Sequence, residues 1–327
     1  MKRVILSFAL SILLVFGANA QKEKSIPHSV RMMKSSTQRT EIILPQVKGY
    51  NIYKGDFHIH TSYSDGVINP AGRVVEAWLD GLDIIAITDH YEGHSGVKKF
   101  LKVTAPYNED GQPTPYQTTA KVGSVKIDFN AIHNEAAKQL EKSGYPMLLI
   151  KGCEMARNNQ THGHFNCLFL KDINGLYDKD LMVAFKRVYD QGGIVIHNHP
   201  GWRRKTTDKT EFHEAAYSAG LISGVEVVNG HTFYPHIVKR CIDEKLTMFA
   251  NTDIHSSSYY PRMSPDVFRT MTLVLAKELT EKDVKDAILK RRTLAYVAGN
   301  VIGEEKWLVE LFNESIDCRI VQENNEK

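Results

Sequence analysis

The 327-residue sequence has few cysteines, little net charge and only one long apolar run. Its cysteines, Cys153, Cys167, Cys241 and Cys318, show no Cys-x-x-Cys spacing, which argues against a thiolate zinc site or a dithiol redox pair. A formal charge of +3 offers no extended basic surface for long nucleic acid. The composition therefore favours a protein that acts on a small substrate.

The apolar run lies at the N-terminus and has the three parts of a secretory signal peptide. Lys2 and Arg3 form a basic start, Val4–Phe16 is apolar apart from two serines, and Ala18-Asn19-Ala20 is a cleavage site of small residues. The run is too short to be a convincing transmembrane span. We therefore expect residues 1–20 to be cleaved and the mature protein to be exported, either periplasmic or secreted, without a membrane span.

Apolar runs of strand length alternate with helical patterns over residues 50–265. The strands are predicted at Tyr50–Ile59, Asp83–Thr88, Tyr145–Gly152, His164–Leu170, Ile194–His197, Val225–Val228 and Thr247–Asn251. This alternation predicts parallel strands covered by helices. About seven such units favour a distorted (β/α)7 barrel, because the C-terminal ends of barrel strands converge on one mouth.

Shorter regions flank the predicted barrel. Residues 21–49 form a polar arm with little core-forming potential. Residues 266–327 are predicted to be a small α+β extension, with a helix that begins after Thr280 and antiparallel strands at Thr293–Ala298 and Lys306–Val321.

Imidazoles and carboxylates recur at the ends of the predicted strands. Residues two apart on a strand point to the same face, so His58 and His60 can bind one ion together. The candidate metal ligands are His58, His60, Asp65, His90, Glu154, His164, His199, Asp253 and His255. This set suffices for about three divalent ions if one ligand is shared, and imidazole with carboxylate suits Zn, Mn or Fe.

The order of these motifs resembles the polymerase and histidinol phosphatase (PHP) family of metal-dependent phosphoesterases. The matching motifs are His58-Ile59-His60 with Asp65, Thr88-Asp89-His90, Gly152-Cys153-Glu154, His164, His199-Pro200 and Asp253-Ile254-His255. The resemblance covers residues 50–256. It implies a PHP-type barrel with a three-metal site. An exported member with a C-terminal extension further resembles the secreted PHP phosphodiesterases.

The resemblance also implies how the ligands divide among the ions. The first ion would be bound by His58, His60, Glu154 and Asp253, the second by Glu154, His164 and His199, and the third by Asp65, His90 and His255. Glu154 would bridge two ions. Two further acidic residues are not assigned as ligands: Asp89 is expected to orient a histidine, and Glu226 either orients a ligand or is a buried polar residue.

A site of this kind indicates phosphoester hydrolysis by a hydroxide that bridges two metals, without a protein nucleophile. The leaving group still needs a proton, and His197, His231 and His94 are the candidate donors. Arg203 and Arg204 are candidates to bind the phosphate, although paired arginines are more often a solvated surface.

Alternatives to an exported phosphodiesterase stay open at this point. One is a phosphomonoesterase, and another is an amidohydrolase, although that superfamily usually has a bridging lysine where this chain has Glu154. A metal-binding protein without catalysis is disfavoured, because the ligands are spread over residues 58–255 and not clustered in a His-rich tract. Residues 104–127 are predicted to form a functional loop, and the substrate and oligomeric state stay open.

Overall fold

A computed structural model describes residues 38–91, 97–103, 118–258 and 268–317. The predicted signal peptide at residues 1–20 and the candidate proton donor His94 lie outside these residues. Among the described residues, no helix combines the length and the apolarity needed to span a membrane.

Strands and helices alternate along most of the chain. The strands are β1 (Asn51–Ile59), β2 (Ile84–Ile87), β3 (Val97–Val103), β4 (Thr118–Lys126), β5 (Leu148–Ala156), β6 (His164–Leu168), β7 (Ile194–His197), β8 (Gly224–Asn229), β9 (Thr232–Phe233), β10 (Thr247–Asn251), β11 (Met271–Ala276), β12 (Thr293–Val297) and β13 (Asn300–Gly303). The helices are α1 (Pro70–Leu79), α2 (Phe129–Ser143), α3 (Leu181–Asp190), α4 (Glu211–Ser218), α5 (Pro235–Asp243), α6 (Glu281–Leu289) and α7 (Glu305–Ser315).

One curled sheet organises the molecule, with the strand order β10-β8-β7-β6-β5-β2-β1-β11-β12-β13 and with β9 paired to β8. The sheet curls so that strands near its two ends come together. The Thr293 hydroxyl of β12 donates to the Met248 carbonyl of β10 over 2.9 Å. Near the mouth, Ile59 forms a parallel bridge with Ile254, just after β10. The mixed α/β class and the distorted barrel predicted from the sequence are confirmed.

Strand β6 runs antiparallel to both of its neighbours, β5 and β7. The expectation of parallel strands is therefore wrong for this strand. The antiparallel direction of β6 results from its short connection to β5, a tight turn in which Arg157 N donates to the Gly163 carbonyl over 3.1 Å. Antiparallel strands can be joined by such a turn, whereas parallel strands need a longer crossover. His164 begins β6 and consequently lies at the same edge as Glu154 near the end of β5.

The concave side of the sheet is filled with apolar side chains. Phe57 and Phe249 meet edge to face, with ring centroids 5.6 Å apart, and Ile84 and Ile196 belong to the same buried cluster. Apolar side chains of α6 complete this cluster. A second cluster lies between the sheet and helices α1 to α4. The polar side chains at the strand ends therefore lie next to a packed apolar interior.

The C-terminal region continues the same sheet. Strand β11 pairs with β1, and the side chain of Thr280 caps α6 by accepting from Asp283 N, as predicted. The strand predicted at Lys306–Val321 is wrong, because residues 305–315 form helix α7. The apolar residues Trp307, Leu308 and Leu311, spaced for one helix face, pack against the core.

The predicted loop at residues 104–127 is only partly correct. Strand β4 occupies residues 118–126 and pairs antiparallel with β3. Residues 104–117 lie outside the part of the chain that the structure describes.

Candidate metal centre

All nine candidate ligands meet at one edge of the curled sheet. Their donor atoms form four overlapping groups in which the atoms lie within 4.8 Å of one another: His60, Asp65, His90 and His255; His58, Glu154 and His199; His58, His60 and Asp253; and His90, Glu154 and His164. Residues that are almost 200 positions apart in the chain are therefore brought together by the strand ends.

Strand β1 supplies the two histidines that start the cluster. The Nε2 atoms of His58 and His60 are 3.1 Å apart. Asp253 Oδ1 lies 3.2 Å from the first of these nitrogens and 3.0 Å from the second. Two imidazoles and one carboxylate thus converge on one point, as the alternation of side chains on a strand predicts.

Glu154 lies at the centre of the cluster and is fully buried. Its Oε1 is 3.3 Å from His58 Nε2, 3.2 Å from His164 Nδ1 and 3.5 Å from His199 Nε2. Its Oε2 is 2.7 Å from His90 Nδ1. The carboxylate therefore faces donor atoms through both of its oxygens, which suits a bridging ligand.

A third group surrounds Asp65. Its Oδ1 lies 3.1 Å from His255 Nε2, and its Oδ2 lies 3.6 Å from His90 Nε2. The rings of His60 and His255 stack with centroids 4.2 Å apart. His60 and His90 each belong to two of the four groups, so the division of ligands among ions that the resemblance implies stays a prediction.

The donor set fits divalent metal ions. Among the described residues, several buried polar atoms of the cluster have no hydrogen-bond partner: His90 Nδ1, Glu154 Oε2, His164 Nδ1 and Asp253 Oδ1. Two of these atoms, His90 Nδ1 and Glu154 Oε2, lie only 2.7 Å apart. Buried polar atoms are normally hydrogen-bonded. Converging imidazole and carboxylate lone pairs instead match the ligands of Zn, Mn or Fe.

At two of the ligands, His58 and Glu154, the neighbouring charges outweigh the effect of burial. Burial lowers the pKa of His58, but Asp253, Glu226 and Glu154 outweigh it and raise this pKa well above its usual value. Burial raises the pKa of Glu154, but His90 and His58 outweigh it and hold this pKa well below its usual value. The protonated form of His58 and the ionised form of Glu154 therefore stabilise each other, whereas at His60 burial prevails and lowers the pKa.

Glu226 holds two of the candidate ligands in position. It is fully buried, and its Oε1 lies 2.8 Å from His58 Nδ1. Its Oε2 accepts the backbone N–H of His199 over 2.7 Å. Because Nδ1 of His58 is engaged in this way, Nε2 is the nitrogen that faces the other ligands. Of the two sequence interpretations, the one in which Glu226 orients a ligand agrees with this contact.

Asp89 organises the loop between His60 and Asp65. It accepts the backbone N–H of Thr61 over 2.7 Å and its hydroxyl over 2.5 Å, and also accepts from the hydroxyl of Ser64. Its direct partners are loop residues, and Ser64 in turn lies 3.2 Å from His60 Nδ1, so Asp89 acts on that histidine only through Ser64.

Two supporting residues were missed from the sequence. Asn198 Nδ2 donates to Glu154 Oε1 over 2.8 Å and fixes that carboxylate. Arg73 on α1 is buried and donates to the carbonyls of His60, Ile254 and Ser256 over 2.9, 3.2 and 2.8 Å. Arg73 thereby joins the two loops that carry ligands. A single asparagine and a helical arginine have no spacing signature that marks them.

The predicted proton donors differ in their placement. His197 is buried; its Nδ1 lies 2.9 Å from the Tyr217 hydroxyl and its ring stacks on Phe165. Burial, with His213 nearby, lowers the pKa of His197 well below its usual value. The alternation of β7 turns this ring away from the metal cluster. His231 is exposed in the turn between β8 and β9.

Arg203 lies in an exposed turn beside the cluster. Its guanidinium carbon is 4.4 Å from the centroid of the Trp202 ring. That ring packs edge to face against His199 and His164, with centroids 5.2 and 5.3 Å away. Trp202 is a further residue missed from the sequence. The catalytic roles predicted for His197, His231 and Arg203 stay predictions.

Backbone strain accompanies the ligand loops. His199 and Asp253 adopt positive φ values of 23° and 53°. Non-glycine residues rarely adopt such values, and they concentrate at functional sites.

Comparison with known proteins agrees with the geometry. The PHP domain model matches residues 56–254. A two-domain protein of Bacteroides vulgatus, whose crystal structure contains a predicted PHP-like metal-dependent phosphoesterase, is 35% identical with a TM-score of 0.73, over 89% of this chain and 78% of that one.

Two other solved structures are more distant. An amidohydrolase of Chromobacterium violaceum with bound sulfate and no metal is 15% identical with a TM-score of 0.43, over 62% of this chain and 88% of that one. A lesion-specific endonuclease of Pyrococcus furiosus is 13% identical with a TM-score of 0.43, over 73% of this chain and 56% of that one. No curated protein sequence matches. From the matched domain and the Bacteroides relative, the chain belongs to the PHP family of metal-dependent phosphoesterases.

Proposed function

We propose that the chain is an exported phosphodiesterase that hydrolyses a small phosphodiester at a site for three divalent ions. The observation that carries this proposal is the position of Glu154, whose two oxygens face His58, His164 and His199 on one side and His90 on the other. The predicted C-terminal extension and signal peptide favour the diesterase over the histidinol-phosphatase-like monoesterase.

The residues of the chain have separable tasks in this reaction. When bound, the divalent ions supply Lewis acidity and neutralise charge at the phosphoryl group. The nine ligands bind them, and Glu226 and Asn198 hold His58 and Glu154 in place. The positive φ of Asp253 holds its carboxylate toward both histidines of β1.

We assign protonation of the leaving group to His231. This histidine is exposed, and Asn229, two residues earlier, contacts Asp253 Oδ2 over 3.4 Å. His197 is buried against Phe165 and Tyr217 on the other side of β7. A proton donor must reach the leaving group directly or through one water, so the exposed residue at the mouth suits the step better.

The first test compares a diester with a monoester. The mature protein, reconstituted with Mn or Zn, is assayed on bis(p-nitrophenyl) phosphate and on p-nitrophenyl phosphate, together with His58→Ala. The exposed His236 on α5 provides a matched control, His236→Ala. Metal content per chain is measured by mass spectrometry on the same samples.

The expected result is diester hydrolysis that disappears in His58→Ala and persists in His236→Ala. Hydrolysis of the monoester alone would make the protein a phosphatase. Turnover of amides or lactones without any phosphoester would favour the amidohydrolase alternative. Bound metal that exchanges freely, with no turnover at all, would favour a metal-binding protein.

Export is tested separately. Cell fractions are probed for the protein, and the N-terminus of the mature chain is sequenced. A mature chain that begins at Gln21 in the exported fraction is the expected result. An intact Met1 in the cytoplasmic fraction would contradict it.

A further inference from the structure

A basic cavity lies beside the metal cluster and has no part in the ligand set. It has a volume of about 480 Å³ and is lined by Gln160, Arg203, Arg204, Lys205 and Thr206. Three of these side chains are cationic, and none of them is a carboxylate. The cavity is therefore a concentrated positive charge at the rim of a site that binds a phosphoester.

Trp202 connects the cavity to the cluster. The edge-to-face contacts of its ring with His164 and His199 place it against two ligands. The neighbouring Arg203 guanidinium lies over the same ring. A ligand that reaches from the cluster into the cavity therefore passes beside Trp202, which is 41% exposed.

The cations of the cavity face few acidic groups among the described residues, although the charge of Asp208 acts on Arg204. Within the described ranges, Arg203, Arg204 and Lys205 form no ion pair with a carboxylate. Arg204 instead donates to the carbonyls of Pro200 and Asp208 over 3.2 and 2.6 Å. These acceptors are neutral, so they do not cancel the positive charge of the guanidinium. Lys239 on α5, by contrast, has an acidic partner in Asp243.

The cavity is also held in shape before any ligand binds. Gln160 Nε2 donates to the Arg203 carbonyl over 2.5 Å and so ties the turn between β5 and β6 to the turn after β7. The backbone of Arg203 has a positive φ of 54°, and its side chain rests on Trp202. A pre-formed pocket of this kind spares a ligand part of the entropy cost of ordering the protein.

We propose that this cavity is a second anion subsite, which binds a phosphate group of the substrate that is not cleaved. The proposal deepens the proposed function, because the scissile phosphoester of the same molecule lies at the metal centre. Arg203 and Lys205 contact the second phosphate, since guanidinium and ammonium groups form strong charge-assisted hydrogen bonds with phosphate oxygens. The substrate class is then a small phosphoester with two anionic groups.

Direct binding is tested without metal, so that it does not depend on turnover. Chelator-treated protein is titrated with inorganic pyrophosphate by calorimetry. We expect binding that weakens about tenfold or more in Arg203→Gln and in Lys205→Gln, because each loses a charge-assisted contact. Lys239→Gln, at an exposed site on α5, is the matched control for the loss of one positive charge and is expected to bind like the unchanged protein.

Selectivity is tested by inhibition of the metal-loaded enzyme. Propane-1,3-diol bisphosphate and the corresponding monophosphate compete with bis(p-nitrophenyl) phosphate. The bisphosphate is expected to inhibit about tenfold or more tightly, and the ratio of the two inhibition constants is expected to approach unity in Arg203→Gln/Lys205→Gln. Circular dichroism and thermal melting confirm that the variants are folded.

The outcomes separate the subsite from the proposed reaction. Pyrophosphate binding that is unchanged in both cavity variants would place the anion elsewhere and overturn the subsite, as would the absence of any binding. Equal inhibition by the two propanediol phosphates would also overturn it. Binding that depends on Arg203 and Lys205, in a protein that hydrolyses no phosphoester, would leave the subsite standing and contradict the proposed function.

Discussion

His58 Nδ1 lies 2.8 Å from Glu226 Oε1, and the other oxygen of this carboxylate accepts the backbone N–H of His199. One buried carboxylate thus holds two ligands that come from β1 and from the turn after β7. Both oxygens of Glu226 are engaged in these contacts. The geometry of the cluster therefore depends on a residue that is not itself a candidate ligand.

Glu226→Gln is expected to weaken metal binding by about 10- to 100-fold while the fold persists. The amide keeps the volume of the carboxylate but has only one oxygen to accept the N–H groups of His58 and His199. Calorimetric titration of chelator-treated protein with Zn measures the effect. Glu214→Gln on the exposed face of α4 is the control. Equal affinities in Glu226→Gln and the unchanged protein would show that Glu226 does not act on the ligands.

Arg73→Met is expected to lower the free energy of unfolding by about 3 to 5 kcal/mol. The change removes the ion-pair partner of the partly buried Glu76, which keeps its contacts with Ser257 and Ser258, and it removes the donors to three carbonyls of the ligand loops. Urea denaturation measures it. Arg187→Met, whose ion pair with Asp178 is partly exposed, is expected to cost about 0 to 1 kcal/mol. Similar losses in both variants would argue against a special role for Arg73.

Gly66→Ala is expected to disrupt the Asp65 loop. A Cβ atom at this position would lie 2.6 Å from the His60 carbonyl oxygen and 2.9 Å from Thr61 N, so the backbone must move. The variant should bind less metal per chain, as measured by mass spectrometry. Gly144→Ala, at a helix end with no atom within 4 Å of the added carbon, should keep its metal. Full metal content in Gly66→Ala would contradict the prediction.

The ligand positions could be predicted because they follow a local rule. His58 and His60, or Asp253 and His255, stand two apart at the end of an apolar run, and this period is visible in the sequence alone. The direction of β6 follows no such rule. Alternation is the same for parallel and antiparallel strands, and the direction is set by the turn from Arg157 to Gly163.

The supporting residues could not be predicted, because their partners are distant in sequence. Arg73 is separated from Ser256 by 183 positions, and Glu226 from His58 by 168. The place of Trp202 beside the cluster likewise depends on its contact with the ring of His164, which the antiparallel strand β6 brings to the same edge. Contacts of this kind depend on the completed fold and leave no periodic trace in the sequence.

We expect His213 to make the stability of the protein sensitive to acid. Burial lowers its pKa to about 4, and Arg204 and Arg240 act in the same direction. Its Nδ1 accepts from Thr210 N over 3.1 Å and its Nε2 donates to the His162 carbonyl over 2.5 Å, so the ring is held as the neutral tautomer. These two contacts join the start of α4 to the turn before β6.

The sign of the pH effect follows from the two pKa values. The unfolded chain protonates this histidine near its usual pKa of about 6.5, whereas the folded chain does so only near pH 4. The unfolded state therefore binds more protons between these values, and the contribution of His213 to stability, complete above pH 6.5, is lost as the pH falls toward 4.

His213→Gln tests this assignment. Glutamine at the third position of α4 can still accept from the Thr210 N–H in a capping box but cannot titrate. Between pH 7.5 and 5, the free energy of unfolding in urea should fall less in His213→Gln than in the unchanged protein, by the share that His213 contributes. His236→Gln, at an exposed histidine, should follow the unchanged protein. If His213→Gln lost as much stability on acidification as the unchanged protein, the acid sensitivity would have to arise from other buried histidines such as His197, whose pKa is also lowered by burial.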